Sequence, residues 1–430
     1  MVRKLLILMV LVPFFGWTQN QEVATFVSYN TLNYRNETSF CTNTNNSPIA
    51  KEGYMKTIFG HIQPDLIACN EVGSNPSNAS KILDRCLNVD GETKFQMAPF
   101  NYSSGASIAN AFFYNGEMFA LKSNDQIRKE IGGDNIVRLI DVFELYYKDA
   151  NLSLGADTTF LTVFVAHLKA GNGSSNENQR DEATQAVMKY IVDENIDGNY
   201  IISGDFNVYR ASEDAFQNLV NPANPQVKFI DPVNRMGSWN NNGAYADVHT
   251  QSTHSVGNGC ASGGGLDDRF DFVLISQDIK DDGDHIEYVS NSYKALANDG
   301  NHFNSAINNP ANNSVPANVL DAIYNGSDHL PVVMDMIITE ANPNSVAEAF
   351  ETNWTIQMIS PGDRISGRLI GAAGNYRIKV YSITGMLLKE QNIKHQGETI
   401  IEYSNMPKGV LLVEILDDSG NKKVVRVIQN

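Results

Sequence analysis

The sequence predicts an α/β (α+β) layered domain followed by a small all-β domain, and three observations carry that expectation. Eight short runs rich in β-branched and aromatic residues recur between positions 24 and 338, separated by polar loops. One stretch, 182–194, places Ala183, Ala186, Val187, Tyr190 and Ile191 at the spacing of an amphipathic helix that packs on a sheet. Beyond about 340 the helical period disappears and only closely spaced β segments remain.

Taken in order, the chain opens MVRKLLILMVLVPFFGW, a basic pair at Arg3 and Lys4 followed by a short apolar run. That pattern predicts a secretory signal peptide over 1–20, too short for a membrane span. The predicted strands are ATFVSYN, PDLIACNEV, NAFFYN, NIVRLIDVFELYY, TTFLTVFVAHL, GNYIISGDF, RFDFVLIS and PVVMDMII, which together mark a domain over 21–340. The Asn-rich stretch near 308–318 is expected on the surface. TEANPNSVAEAFETN, 339–353, loses strand character, and the linker is read as 341–353. The remainder, 354–430, is expected to be a β-sandwich domain with turns at Thr384-Gly385 and Ser419-Gly420-Asn421.

At 430 residues and 42% hydrophobic, the chain is long enough for more than one buried core. The formal charge of -17 is uneven: residues 345–430 carry 10 Lys and Arg against 9 Asp and Glu, and residues 1–344 carry 22 against 40. So acidic a surface argues against tight nonspecific binding of polyanions through counterion release. It leaves open a site where divalent cations neutralise a phosphate first. Four cysteines, Cys41, Cys69, Cys86 and Cys260, permit two disulfides in an exported chain, with three possible pairings. None has zinc-site spacing.

Several predicted strands end in groups that carry chemistry. The first ends in Asn30, the second in Glu71, TVFVAH in His167 and YIISGD in Asp205, with Asn207 two positions on. Asp271 opens a strand and shares a face with Arg269. Just before the last strand, GSDHLPVVMDMII sets Asp328 and His329 side by side. If these ends meet at one edge of the core, four carboxylates would repel unless a cation held them. All-oxygen ligation with open water positions suits Mg²⁺ or Mn²⁺, with Ca²⁺ a further candidate. His329 is then the expected base, Asp271 the carboxylate that fixes its tautomer, and His167 with Asn207 the donors to phosphoryl oxygens.

The segments SYNTLNY, DLIACNEVG, VAHLKAG, SGDFNVYR, DDRFDFVLIS and GSDHLPVV resemble, in order, motifs of the metal-dependent endonuclease/exonuclease/phosphatase superfamily, over residues 24–340. The resemblance implies a four-layer α/β/β/α sandwich with the site at one edge of two central sheets. It assigns Asn30, Glu71 and Asp328 to the metal side, His167 to phosphate contact, Asp205 and Asn207 to the nucleophile and phosphate, and Asp271 with His329 to the base. One departure concerns His167: the carboxylate that in the pancreatic deoxyribonuclease branch follows a strand arginine is here Leu139 and Ile140 after Arg138, so His167 reads as a phosphate donor and not an acid. The tail resembles the C-terminal sorting domain of type IX secretion cargo, through VYSITG, MPKGV and KKVV, although the usual Asn-Pro entry is reduced to Ser360-Pro361-Gly362.

These readings imply a chain that is secreted or held at the cell surface, a monomer, with a nucleic acid or other phosphate ester as substrate and the secretion machinery as partner. Three functional classes compete: a nuclease for extracellular DNA or RNA, a phosphodiesterase or phosphatase for lipid head groups or small esters, and an idle binding module. Lys169 and Arg180 are candidates for either phosphate contact or solvated charge. Cys69 is expected to be structural, His249, His254 and His302 to lie on the surface, and Asp281, Asp282 and Asp284 to form a solvated acidic turn.

Overall fold

A computed structural model describes residues 20–154, 156–341, 354–359, 364–371, 373–396, 398–418 and 422–429. The predicted signal peptide (1–20, but for its last residue), nearly all of the predicted linker, the Ser419-Gly420-Asn421 turn and the Ser360-Pro361-Gly362 entry lie outside the described residues. The chain divides into two compact units, one of residues up to 152 with 158–341, the other of 153–157 with 342–430.

The first unit contains strands β1 (Gln21–Tyr34), β2 (Leu66–Gly73), β3 (Phe95–Met97), β4 (Ile108–Asn115), β5 (Phe119–Lys129), β6 (Asn135–Tyr147), β7 (Phe160–His167), β8 (Tyr200–Asp205), β9 (Asp271–Ile275), β10 (Ile286–Tyr288), β11 (Lys294–Ala295) and β12 (Val332–Thr339). Its helices are α1 (Pro48–Ile62), α2 (Pro76–Ile82), α3 (Ser174–Asp193), α4 (Asp214–Val220), α5 (Gln277–Asp281) and α6 (Ala317–Gly326). One sheet runs β10-β12-β1-β2-β4-β3 with β11 on β12, the other β5-β6-β7-β8-β9.

Strand parity makes the layers. Phe26, Val163, Ile201 and Val273 point into a core between the two sheets, where Phe112 and Phe143 stack at 4.9 Å across the gap. Their neighbours in sequence point outward: Val27 and Tyr29 pack under α1 and α6, while Phe164, Ile202 and Phe272 pack under α3 and α4. Each such fully buried aromatic or aliphatic side chain contributes roughly 1.5–3 kcal/mol. The result is the four-layer α/β/β/α sandwich. Helix α3 is longer than its apolar stripe suggested, because it begins eight residues earlier on polar residues, at Ser174.

The second unit is all β. β13 (Trp354–Ile359), β14 (Arg364–Gly371) and β17 (Glu398–Ser404) form an antiparallel three-stranded sheet; β15 (Gly374–Ser382), β16 (Leu387–His395), β18 (Gly409–Asp417) and β19 (Lys422–Gln429) form a four-stranded one. Ile365, Leu369, Ile378, Val380, Ile401, Val413 and Ile415 fill the core between them. The β15–β16 turn falls at Gly385, whose φ of 80° suits glycine. Among the described residues, no helix is long and apolar enough to cross a membrane.

Candidate active site

The polar strand ends meet where the inter-sheet core runs out. His167, Asp205 and Asp271 are aligned in register across β7, β8 and β9. Each continues the parity of the inward-facing residues on its strand, so all three face the opposing sheet. From that sheet Asn30 continues the parity of Phe26. Its amide donates to Asp205 Oδ2 at 3.0 Å and to Glu71 Oε1 at 3.1 Å, joining acids of the two sheets.

Glu71 arrives by a different device. On β2 it has the outward parity, but its φ is 60° and the β1–β2 and β2–β4 registers shift around it. This bulge turns its carboxylate inward, where the backbone N–H of Asn33 also donates to it at 2.9 Å. Asn70, one residue earlier, accepts from the Asp205 backbone N–H at 3.0 Å and donates to Ala166 O and Asn110. Asn110 in turn donates to Asp141 Oδ2 at 3.1 Å, a buried relay of amides that locks the two sheets together beneath the site. Gly204 completes the approach: with φ of 134°, a Cβ there would sit 1.8 Å from Ala166 O.

Asp205 and Asn207 lie together through a turn and not through strand parity, since β8 ends at Asp205 and Asn207 has φ of 53°. The Asn207 amide donates to Asp205 Oδ1 at 2.8 Å and toward Leu168 O at 3.4 Å. Its hydrogens are thus engaged within the protein.

His329 lies buried in the segment before β12. Nδ1 is 2.7 Å from Asp271 Oδ2, and Nε2 is 3.8 Å from Asp205 Oδ2. The other face of Nε2 meets the Gln251 side-chain amide at 2.7 Å. Burial opposes charge on this imidazole, but Asp271, Asp205 and Asp328 together outweigh it and hold its pKa well above the ordinary value. Asp205 is pushed up by burial and by Asp271 and Glu71, against the pull of His329. His167 is held low, first by burial and then by Arg138 and His329. Its Nε2 faces Asp205 Oδ2 at 3.5 Å and Glu71 Oε1 at 3.8 Å, and its buried Nδ1 has no hydrogen-bond partner.

Asp328 points elsewhere than its neighbour. Oδ2 accepts from the Ser262 backbone N–H at 2.8 Å, while Oδ1, 4.0 Å from His329 Nε2, is buried and unpartnered. A single ligand atom from each of Glu71, His167 and Asp205 can be chosen so that all lie within 4.8 Å of one another. Lys51, on α1, braces the turn after Asn30 by donating to Thr31 O and Leu32 O at 2.7 and 2.6 Å; burial pushes its pKa down to about 7, against the pull of Asp328 and Glu71.

Other residues fall differently from the sequence expectation. Arg269 does not share the face of Asp271: its guanidinium lies over Phe272 at 4.4 Å and pairs with Asp231 at 2.8 Å, because β9 begins only at Asp271. Arg180 is neither solvated nor on the site; it is fully buried against Glu213 at 2.6 Å. His249, His254 and His302 are buried. His249 is held between Trp239 O and Leu266 O, His254 stacks on Tyr324 at 4.2 Å, and His302 bridges Asp299 and Pro310 O. Of the cysteines, Cys41 and Cys260 form a disulfide, and Cys69 and Cys86 are free and buried. Gln251, Asn70, Asn110, Lys51 and Ser262 have no signal in the sequence: each is an ordinary polar residue whose partners come from distant segments.

Residues 364–430 match the secretion system C-terminal sorting domain family, which indicates export to the cell surface or beyond. No curated protein matches the chain. Similar solved structures include an endonuclease/exonuclease/phosphatase family protein from Bacteroides thetaiotaomicron (12% identity, covering 74% of this chain and 99% of that one, TM-score 0.44). Others are the human Nocturnin catalytic domain with bound sulfate (13%, 75% and 98%, TM-score 0.43) and D. rerio TDP2 with a single-strand DNA product (10%, 73% and 98%, TM-score 0.44). The sorting-domain resemblance read from the sequence thus reappears. At TM-scores below 0.5 the solved structures carry no argument here, and the functional reading rests on the side chains.

Proposed function

We propose that the protein is an exported, divalent-metal-dependent phosphodiester hydrolase of nuclease type, with residues 21–340 as its catalytic domain, 341–353 as a linker and 354–430 as its sorting domain, acting as a monomer. The observation that carries the reading is the His329–Asp271 pair set beside Asp205, Glu71 and Asn30 at the mouth of the inter-sheet core.

In this reading Asp271 accepts a hydrogen bond from Nδ1–H of His329, and in the neutral form of the ring this leaves Nε2 with a lone pair to take a proton from water. Asp205, within 3.8 Å of Nε2, orients that water and favours the imidazolium that forms. Asn30 holds the Asp205 and Glu71 carboxylates at a fixed separation. His167, neutral because it is buried, serves as a donor to a phosphoryl oxygen and not as an acid. Asn207 acts chiefly by steadying Asp205.

The donor set suits a hard cation. Glu71 and Asp205 converge within reach of one ion, and the unpartnered Asp328 Oδ1 leaves a buried carboxylate oxygen in want of positive charge. Glu71 and Asp205 would hold Mg²⁺ or Mn²⁺, with Asn30 and Asp328 on the same side. When bound, the ion would supply Lewis-acid charge for the phosphoryl group.

The acidity of residues 1–344, 40 Asp and Glu against 22 Lys and Arg, favours a second reading, in which the ester is a lipid head group or small molecule. A panel of duplex DNA, RNA, sphingomyelin, a phosphoinositide and bis-p-nitrophenyl phosphate, each with Mg²⁺ or Mn²⁺ and with EDTA, separates the two. Turnover of DNA or RNA above the others supports the nuclease. No metal-dependent turnover of any substrate would overturn the reading.

A further inference from the structure

Gln251 stands on the atom that the proposed reaction needs free. Its amide nitrogen is 2.7 Å from His329 Nε2 and 3.4 Å from Asp328 Oδ2. In the neutral form that can serve as base, Nδ1–H is donated to Asp271 and Nε2 carries the lone pair, into which the Gln251 N–H, 2.7 Å away, donates. A base whose lone pair is filled by an amide cannot take a proton from water. Gln251 therefore has to leave Nε2 before water can be activated there.

The surroundings allow the side chain to move while the backbone stays. Residues 250–253 are clamped on two sides: the Gln251 N–H donates to Asp268 O and its carbonyl accepts from Asp267 and Asp268, while Leu330 N–H donates to Thr250 O and Thr253 N–H to Asp328 O. Thr250 Oγ1 also accepts from the Asp271 N–H at 3.1 Å, tying the segment to the base's own partner. The Gln251 side chain, by contrast, is half-buried. The neighbouring Asn207 amide is engaged with Asp205 and Leu168 O, so it does not offer a second donor to an incoming phosphoryl group beside His167.

We infer that Gln251 is a further phosphoryl-binding residue of this site, which caps His329 before substrate enters and swings its N–H onto a phosphoryl oxygen when it does. A charged acceptor competes well against a neutral imidazole nitrogen, since hydrogen bonds to ionised groups are the stronger kind. Binding of the phosphoryl group and release of the base are then one event.

This inference rests on the hydrolase reading, so the test includes both. The full chain, its Gln251→Ala and Gln251→Asn variants and a His329→Ala control are assayed on bis-p-nitrophenyl phosphate with Mn²⁺, with inorganic phosphate as competing inhibitor and thermal melting as a check on folding. Gln251→Ala is expected to raise KM and the phosphate inhibition constant together, each roughly tenfold, with kcat within about threefold of the parent. Gln251→Asn, too short to reach, is expected to behave as Gln251→Ala. Unchanged KM and phosphate inhibition in Gln251→Ala, or a fall in kcat alone, would overturn the inference while the hydrolase reading stands. Absence of Mn²⁺-dependent turnover in the parent chain would remove the hydrolase reading itself, and full activity in His329→Ala would remove His329 as its base.

Discussion

His329 Nδ1 and Asp271 Oδ2 lie 2.7 Å apart, although 58 residues separate them in sequence. Asp271 is the first residue of β9 and His329 stands three residues before β12, strands that belong to different sheets. The bond therefore forms only when the sandwich closes. Removing either member should cost turnover without unfolding the chain: His329→Ala and Asp271→Asn are each expected to lower kcat by about 10³-fold. Steady-state kinetics on the best substrate, alongside melting curves, checks this.

Glu71, Asp205 and Asp328 crowd negative charge into a buried space, so an ion that binds them should stabilise the fold as well as support activity. At a free Mg²⁺ concentration about 100 times its Kd the stabilisation is about 2.7 kcal/mol. Differential scanning calorimetry with Mg²⁺ and with EDTA should show a higher Tm in the former, and Glu71→Gln should shrink that gap. Equal Tm values in both buffers, at Mg²⁺ concentrations that saturate activity, would remove the cation from the site.

Much of this arrangement was legible in the sequence, for a definite reason. Asn30, His167, Asp205 and Asp271 each cap an apolar run at the inward parity, and alternation alone says they face one way. Glu71 reads from the sequence as a strand-end acid but lies inside β2, two residues before its end, and its inward turn depends on a positive φ at a bulge that no residue preference announces. β5 escaped notice because its middle, Lys122 to Gln126, is polar and exposed, as befits the edge strand of its sheet. His249, His254 and His302 were misread for the opposite reason. They lie in segments without periodicity, which long-range backbone hydrogen bonds fold over the end of the sandwich. Burial there is a tertiary property, invisible to local pattern.

The disulfide between Cys41 and Cys260 joins segments 219 residues apart, and each segment borders the site: Asn46 holds Leu32 O and Asn33 O next to Glu71, and Ser262 holds Asp328. Cys41→Ser is expected to cost about 2–4 kcal/mol in urea denaturation. Thiol labelling gives an independent check. Cys69 and Cys86 are buried, so the native protein should label slowly, and the unfolded, unreduced chain should titrate two thiols.

Asp141 makes stability depend on pH in a direction that can be worked out. Burial pushes its carboxyl up to about 7, against the hydrogen bonds from Asn110 and Asn101 and the pull of Arg128. An unfolded aspartate titrates near ~3.9. Between those values the folded chain holds a proton that the unfolded chain has lost. The stability it contributes is complete below the unfolded value and is lost as pH rises through the folded one, with a slope of at most about 1.4 kcal/mol per pH unit. Asp141→Asn keeps a neutral polar group in the same place and removes the titration. The stability difference between parent and Asp141→Asn, from urea denaturation at a series of pH values from 4 to 7, should therefore drift steadily in favour of the variant as pH rises. Contributions from the other carboxylates cancel in that difference, so a difference that stays constant with pH would mean that Asp141 is ionised in the folded protein.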